Sequence, residues 1–197
     1  MARSATFLES DVQGLLDEIA AETPAPGGGS VAALVVAMAA GLVAMAGRFS
    51  KEHWAGAGDT VGRAGELREH VAPLAQADAA AYEEVLTALR LPKDLEPEVR
   101  NQAIANALSR AADIPLLIAE AAADVAELGA LAAERGNPNL RADAVAATIF
   151  AGAAARAAAN LVRVNLGTME DDSRTARADQ LVDAAAAATS RALAAGT

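Results

Sequence analysis

Apolar residues recur at Leu8, Val12, Leu15, Leu16 and Ile19, a spacing of three and four that predicts an amphipathic helix over about residues 7–22. Thr23-Pro24-Ala25-Pro26 ends it, because a proline disfavours helical geometry in the residue before it. The pattern then changes. The stretch SVAALVVAMAAGLVAMAG, residues 30–47, has no charge and no polar face, so it predicts a helix to about Ser50 that is buried on all sides. It is nearly long enough to span a bilayer. Its Ala and Gly content partitions weakly into lipid, however, and every later segment is amphipathic. A central core helix is therefore the expected placement, with no membrane partner.

Gly56, Gly58 and Gly62 predict a loose connection into a long helix over residues 61–91, bent at Pro73. The loop LPKDLEP follows, and Pro97 suits the first turn of the next helix. That helix is expected to run to about Arg135 with an internal Pro115. GNPN, residues 136–139, reads as a turn. A helix over 140–166, the polar loop GTMEDDSR and an alanine-rich helix complete the chain. There is no strand pattern and no internal repeat. The expected fold is all-α, a single multi-helix bundle over residues 1–197 around a buried Ala/Gly-rich helix.

Composition supports that expectation and narrows the function. The 197 residues are 53% hydrophobic but only 3% aromatic, with alanine dominant, and alanine both forms helices and lets them pack closely. Sixteen basic against 26 acidic residues give a net charge of −10, with no basic stripe to displace phosphate counterions, so nucleic acid is not an expected partner. There is no cysteine, hence no disulfide and no thiolate metal site. The start, MARSATFLESDVQ, lacks a signal-peptide core, which makes the cytoplasm the expected compartment.

PGGGS, Pro26 to Ser30, raises the first chemical question. No Gly-Lys-Ser/Thr follows it, and Ala32 stands where a dinucleotide fingerprint needs its third glycine. A plain helix entry with Ser30 as N-cap needs one glycine; three together point to something approaching the backbone closely, where free N–H groups favour a carboxylate or phosphate. On the third helix the inward stripe reads Leu67, Val71, Leu74, Asp78, Tyr82, Val85, Leu89, so Asp78 falls where an apolar residue is expected. A carboxylate withdrawn from water is costly, and its pKa rises. That suits it to carry a proton near neutrality, although pairing with an Arg or capping a neighbouring helix explains such a position equally well.

In GNPNLRAD, Gly136 is suited to a left-handed helix end and Asn139 to capping the next helix, with Asp143 in its first turn; Asn137 has no such structural duty. Arg156, Asn160 and Arg163 share one face, and an Arg there can grip a carboxylate in a fork. Lys51 and Lys93 are isolated cations able to meet an anionic tail. His53 and His70 lack metal-ligand spacing, and no metal site is expected.

Taken together, TPAPGGGSVAALVVAMAAGLVAMAGRFS, ADAAAYEEVLTALRLPKD, the segment from IPLLIAEAAAD to GNPNLRADAVAA, and LVRVNL resemble the cyclodeaminase/cyclohydrolase family. This is the family of the C-terminal domain of formiminotransferase-cyclodeaminase and of stand-alone bacterial relatives. The resemblance implies an all-α homodimer that takes a tetrahydrofolate derivative as substrate, without a metal or other cofactor. It implies conversion of 5-formimidoyltetrahydrofolate to 5,10-methenyltetrahydrofolate with loss of ammonia, or hydrolysis of the methenyl form to 10-formyltetrahydrofolate. Both pass through a tetrahedral carbon between N5 and N10. By the same resemblance Asp78 is the acid–base residue, and the substrate-binding candidates are Pro26, Gly27, Gly28, Gly29, Ser30, Tyr82, Asn137, Asn139 and Asp143, to which the isolated Lys51 and Arg163 are added. SKEHWAGAGD departs from the Gly-Lys-rich, tyrosine-containing stretch common in the family. A family member that binds a folate or other heterocycle without turnover, and a helical interaction protein, are the competing readings.

Overall fold

The computed structural model describes residues 6–167 and 172–195. Among them are eight α-helices and no strand: α1 (Val12–Ala20), α2 (Gly28–Arg48), α3 (Ala57–Val71), α4 (Leu74–Leu89), α5 (Pro97–Ala111), α6 (Asp113–Arg135), α7 (Arg141–Leu166) and α8 (Ser173–Ala194), with one 3₁₀ turn, Pro138–Leu140, before α7. The all-α expectation holds.

The uncharged helix is central, as its pattern requires. α2 packs against α3, α4, α6 and α7, and α6, α7 and α8 close the other side of the core. Most core residues are alanines, among them Ala33, Ala40, Ala122, Ala126, Ala151 and Ala155, all fully buried. With so little side chain between them, the helices approach closely. A Cβ on Gly47 would stand 2.8 Å from the Val61 side chain, and one on Gly152 would stand 2.9 Å from the Thr189 hydroxyl. α2 and α7 run antiparallel: Gly28 faces Leu161 near the end of α7, while Phe49 and Ser50 bond to Asn137 just before its start.

Several boundaries differ from expectation, each for a local reason. The helix read over 61–91 is two helices, because Pro73 takes the N-cap position of α4 and brings no N–H to continue α3. The helix read to Arg135 is also two; α5 stops at Ala111, and Pro115 lies in the first turn of α6, where a missing N–H costs nothing. Gly58 and Gly62 lie inside α3, which begins earlier than expected, at Ala57. α1 begins only at Val12, capped by the Asp11 carboxylate accepting from the Gly14 N–H at 2.7 Å. Leu8, Val12 and Leu16 stay exposed despite their helical spacing, while Phe7 packs on the core. Of the loop GTMEDDSR, residues 168–171 lie outside the described residues; Asp172 caps α8 by accepting from the Arg174 N–H at 2.9 Å.

α2 and α7 are both long and apolar enough to cross a bilayer, yet about half of each is buried against other helices. Met38 on α2 and Val164 on α7 are each more than 60% exposed, and Phe150 on α7 is half-exposed.

Candidate active site

The N-cap of α2 is Gly27, with Ser30 in the first turn, so Ser30 does not cap the helix as its type suggested. Gly28, Gly29 and Ser30 are the first three helical residues, and their N–H groups have no intrahelical acceptor. α4 crosses this end of α2 and delivers Asp78 to it. The approach is close enough to explain one glycine outright: a Cβ on Gly29 would fall within the Asp78 carboxyl group, 2.7 Å from its Oδ2 even at the most distant of the three contacts. What comes up against the glycine run at that residue is therefore the protein's own carboxyl.

Asp78 accepts a hydrogen bond from the Ser30 backbone N–H, and its Oδ2 lies 3.1 Å from Ser30 Oγ. The Ser30 hydroxyl is fully buried and also lies 2.8 Å from the Ala75 carbonyl oxygen. One hydroxyl proton cannot serve both acceptors fully. With Asp78 protonated the count closes: its carboxyl donates to Ser30 Oγ, and Ser30 donates to the Ala75 carbonyl. With Asp78 ionised, the carboxylate and the carbonyl compete for one proton. Burial raises the Asp78 pKa above the ordinary carboxylate value, and the two bonds from Ser30 oppose that rise without cancelling it. No charged side chain contributes to the shift. Asp78 thus caps a neighbouring helix, the structural explanation weighed for it above, and is at the same time a carboxyl biased toward holding a proton.

Beside it lies a cavity of about 310 Å³. One wall is the turn before α2, from Pro24 and Ala25 to Gly27, Gly28 and Gly29. Asp78, Ala79 and Tyr82 of α4 form a second wall, and Leu161, Val164 and Asn165 of α7 a third, with Ala111 at the end of α5. Tyr82, one turn beyond Asp78, is 44% exposed at the mouth. Pro26 is buried behind the wall, joined to Ala25 by a cis peptide bond. Gly28 has only the Leu161 side chain at 4.0 Å from where a Cβ would stand, so its missing side chain leaves open space. Two larger grooves exist, of about 710 Å³ between α4 and α5 and about 630 Å³ beside α1 and α3. Their charged residues, such as Glu83, Glu84 and Glu69, face solvent.

The structure thus brings Asp78, Tyr82 and the glycine turn together. It places Lys51, Asn137, Asn139 and Asp143 at the other end of the α2–α7 pair, roughly 30 Å away along 21 helical residues. Lys51 is exposed. Asn137 does have a structural duty: its Oδ1 accepts from the Asn139 N–H at 3.0 Å, its Nδ2 donates to the Phe49 carbonyl at 3.2 Å, and its N–H donates to Ser50 Oγ at 2.8 Å. Asn139 does not cap α7, whose N-cap is Leu140; Asp143 lies in the first turn as expected. Gly136 is not left-handed, with φ −80°; a glycine is needed because a Cβ would stand 2.5 Å from the Ala132 carbonyl and 2.7 Å from Ser50 Oγ. Arg163 is turned to α8, where it pairs with Asp179, and it does not line the cavity.

The cavity residues that sequence reading missed are chiefly Leu161, Val164 and Asn165. A signal existed for the last: Leu161 and Asn165 are four apart in LVRVNL and so share a helix face. Asn165 is half-buried, and its Nδ2 donates to the Ala111 carbonyl at 2.9 Å. No group of three potential metal ligands is gathered among the described residues.

Comparison with known proteins identifies the family and the fold. The sequence profile of the formiminotransferase-cyclodeaminase family matches residues 11–184. A methenyltetrahydrofolate cyclohydrolase of Methylorubrum extorquens is 33% identical over 168 residues, covering 81% of each chain. The mouse formimidoyltransferase-cyclodeaminase is 33% identical over 124 residues, 58% of this chain but only 23% of the mouse protein. The solved structure of a formiminotetrahydrofolate cyclodeaminase from Thermotoga maritima superposes with a TM-score of 0.83 at 24% identity, covering 96% of this chain and 97% of its own, and so shares the fold. On the extent of these matches, this chain belongs to the formiminotransferase-cyclodeaminase family.

Proposed function

We propose that this chain is a folate one-carbon enzyme that interconverts species at the carbon bridging N5 and N10, with Asp78 as its general acid–base. The observation that carries this reading is the placement of one half-buried carboxyl, its pKa raised by burial, on the wall of a cavity at a helix N-terminus. A family relative named for methenyltetrahydrofolate cyclohydrolysis that aligns with 81% of the chain supports the substrate class. The cavity volume is at the low end of the roughly 300–1,000 Å³ range of small-molecule sites. It suits the heterocyclic head of a folate, with the anionic tail outside.

In cyclodeamination N10 attacks the formimidoyl carbon and loses its proton to Asp78; the carbon–nitrogen bond to the leaving amine then breaks, and ammonia departs carrying the proton that Asp78 returns. In cyclohydrolysis water adds to the bridging carbon, Asp78 takes its proton, and the bond to N5 breaks as N5 is protonated. Each direction needs one group that both accepts and donates a proton, and a raised pKa suits a carboxyl to that better than its ordinary value does. The free N–H groups of Gly28 and Gly29 favour partial negative charge at the substrate edge beside them.

We assign a homodimer, with exposed apolar side chains of α2 and α7, among them Met38 and Phe150, available for its contact. It is a soluble, cytoplasmic assembly, in keeping with a net charge of −10. A monomer mass by light scattering would end that assignment. For the activity, near-ultraviolet absorbance of the methenyl chromophore separates the reactions. A rise with 5-formimidoyltetrahydrofolate means cyclodeamination, and an accelerated loss with 5,10-methenyltetrahydrofolate means cyclohydrolysis. No change with either, but a raised melting temperature in folate, means binding without turnover.

A further inference from the structure

Asn165 stands apart from the other cavity residues because its two halves have different surroundings. Its Nδ2 is committed, donating to the Ala111 carbonyl at 2.9 Å where α5 ends. That bond fixes the carboxamide plane. Among the described residues no hydrogen bond engages its Oδ1, an acceptor with two lone pairs on a residue that lines the cavity. Within the same lining, Asp78 is the titratable group already assigned, and Tyr82 sits at the open mouth. The remaining side chains there are hydrocarbon or absent.

We propose that Asn165 is a positioning residue whose Oδ1 accepts a hydrogen bond from the attacking nucleophile and holds it for deprotonation by Asp78. This rests on the proposed reaction. Both of its forms begin with a nucleophile carrying a hydrogen, N10–H in cyclodeamination and water in cyclohydrolysis. A nucleophile of either kind has a second requirement besides a base: its lone pair must point at the electrophilic carbon. An acceptor fixed by its own amide supplies that without taking the proton itself. Asn165 is anchored on α7, Asp78 on α4 and the glycine turn on α2, so three separate helices frame the reacting carbon. No bond to Asn165 is made or broken.

The test exploits the two halves. N165L removes donor and acceptor together, whereas N165D keeps the acceptor and removes the donor to Ala111. If Oδ1 positions the nucleophile, N165L lowers kcat about 100-fold with KM changed less than threefold, and N165D retains at least ten times the kcat of N165L. The N165D variant also shifts the acidic limb of the pH–rate profile upward, because a second carboxylate near Asp78 disfavours its ionisation. A purely structural role through the Ala111 bond predicts the reverse order, with N165D as damaged as N165L, and that order overturns the assignment. N165S, with a smaller acceptor, serves if N165D fails to fold; a kcat for it equal to that of N165L is equally contrary. Wild-type protein inert toward both folates overturns the proposed reaction and this role with it. An active wild type with an unimpaired N165L overturns this role alone.

Discussion

The two ends of α2 are built from similar parts and come out differently. Each carries a serine with almost no exposure, Ser30 at the start and Ser50 just past the end. Each serine faces an α-helical carbonyl, and each end has a glycine that a neighbouring group approaches closely: Gly29 beneath Asp78, and Gly136 beneath Ser50. At the Ser50 end the hydrogen bonds balance. Ser50 donates to Ala46 at 2.7 Å and accepts from the Asn137 N–H at 2.8 Å, and the Asn137 amide finishes the loop by donating to Phe49. No carboxyl takes part in those bonds. At the Ser30 end the partner is a carboxyl, and the Ser30 hydroxyl is shared between it and the Ala75 carbonyl. Helix N-termini offer donors and C-termini offer acceptors, so the first end is the one suited to draw a carboxyl to itself. The difference is one of polarity, and it is what makes one end a joint and the other a site.

The comparison can be broken most severely at the glycines. G29A drives a Cβ into the Asp78 carboxyl, so turnover should fall at least 100-fold and the melting temperature should drop as well. G136A meets the Ala132 carbonyl and Ser50; it should cost about 1–3 kcal/mol of stability in denaturant melts, as overpacking does, with kcat in the folded fraction retained. Equal kinetic losses in the two variants would erase the distinction between the ends.

The serines give a smaller, oppositely signed pair. S50A leaves the Asn137 N–H without its acceptor and should destabilise by about 1–3 kcal/mol, read as a shift in the urea midpoint. S30A removes a bond that holds the Asp78 pKa down. The acidic limb of the pH–rate profile should therefore move to higher pH, a change that S50A must not produce.

Smallest is the effect of pH on stability. Because the Asp78 pKa is higher folded than unfolded, the native state binds the proton more tightly, and stability falls as pH rises from the ordinary carboxylate value through the raised one. D78N lacks this titration. The melting temperature of D78N minus that of wild type should grow across that window and level off above it; a difference that stays flat from pH 3 to 8 would mean that burial does not perturb Asp78.

Much of this was legible in the sequence. The uncharged run of α2 announced a core helix, and Asp78 stood out as a carboxyl on an apolar stripe. The alanine content foretold helices packed nearly backbone to backbone. Less legible was which glycine mattered and why, since the atoms that crowd Gly29 come from a residue 49 positions later, Asp78. Asn137 and Arg163 looked available because their types are versatile; in the fold one is a turn residue and the other an ion-pair partner across α7 and α8. Asn165 looked ordinary because its value depends on Ala111, a contact spanning 54 residues that no local period reveals. Helix and face follow from spacing. What each face meets does not.

The central claim is that the Asp78 carboxyl moves the proton. Its most direct test is turnover of the methenyl and formimidoyl folates by D78N beside wild type, with circular dichroism confirming that both are helical. Asn preserves the acceptor for the Ser30 N–H and the volume beside Gly29 but cannot exchange a proton, so the rate should fall by about 10²–10⁴-fold while folate still raises the melting temperature. Undiminished turnover by folded D78N would contradict the account, and the carboxyl would then be no more than the cap of α2.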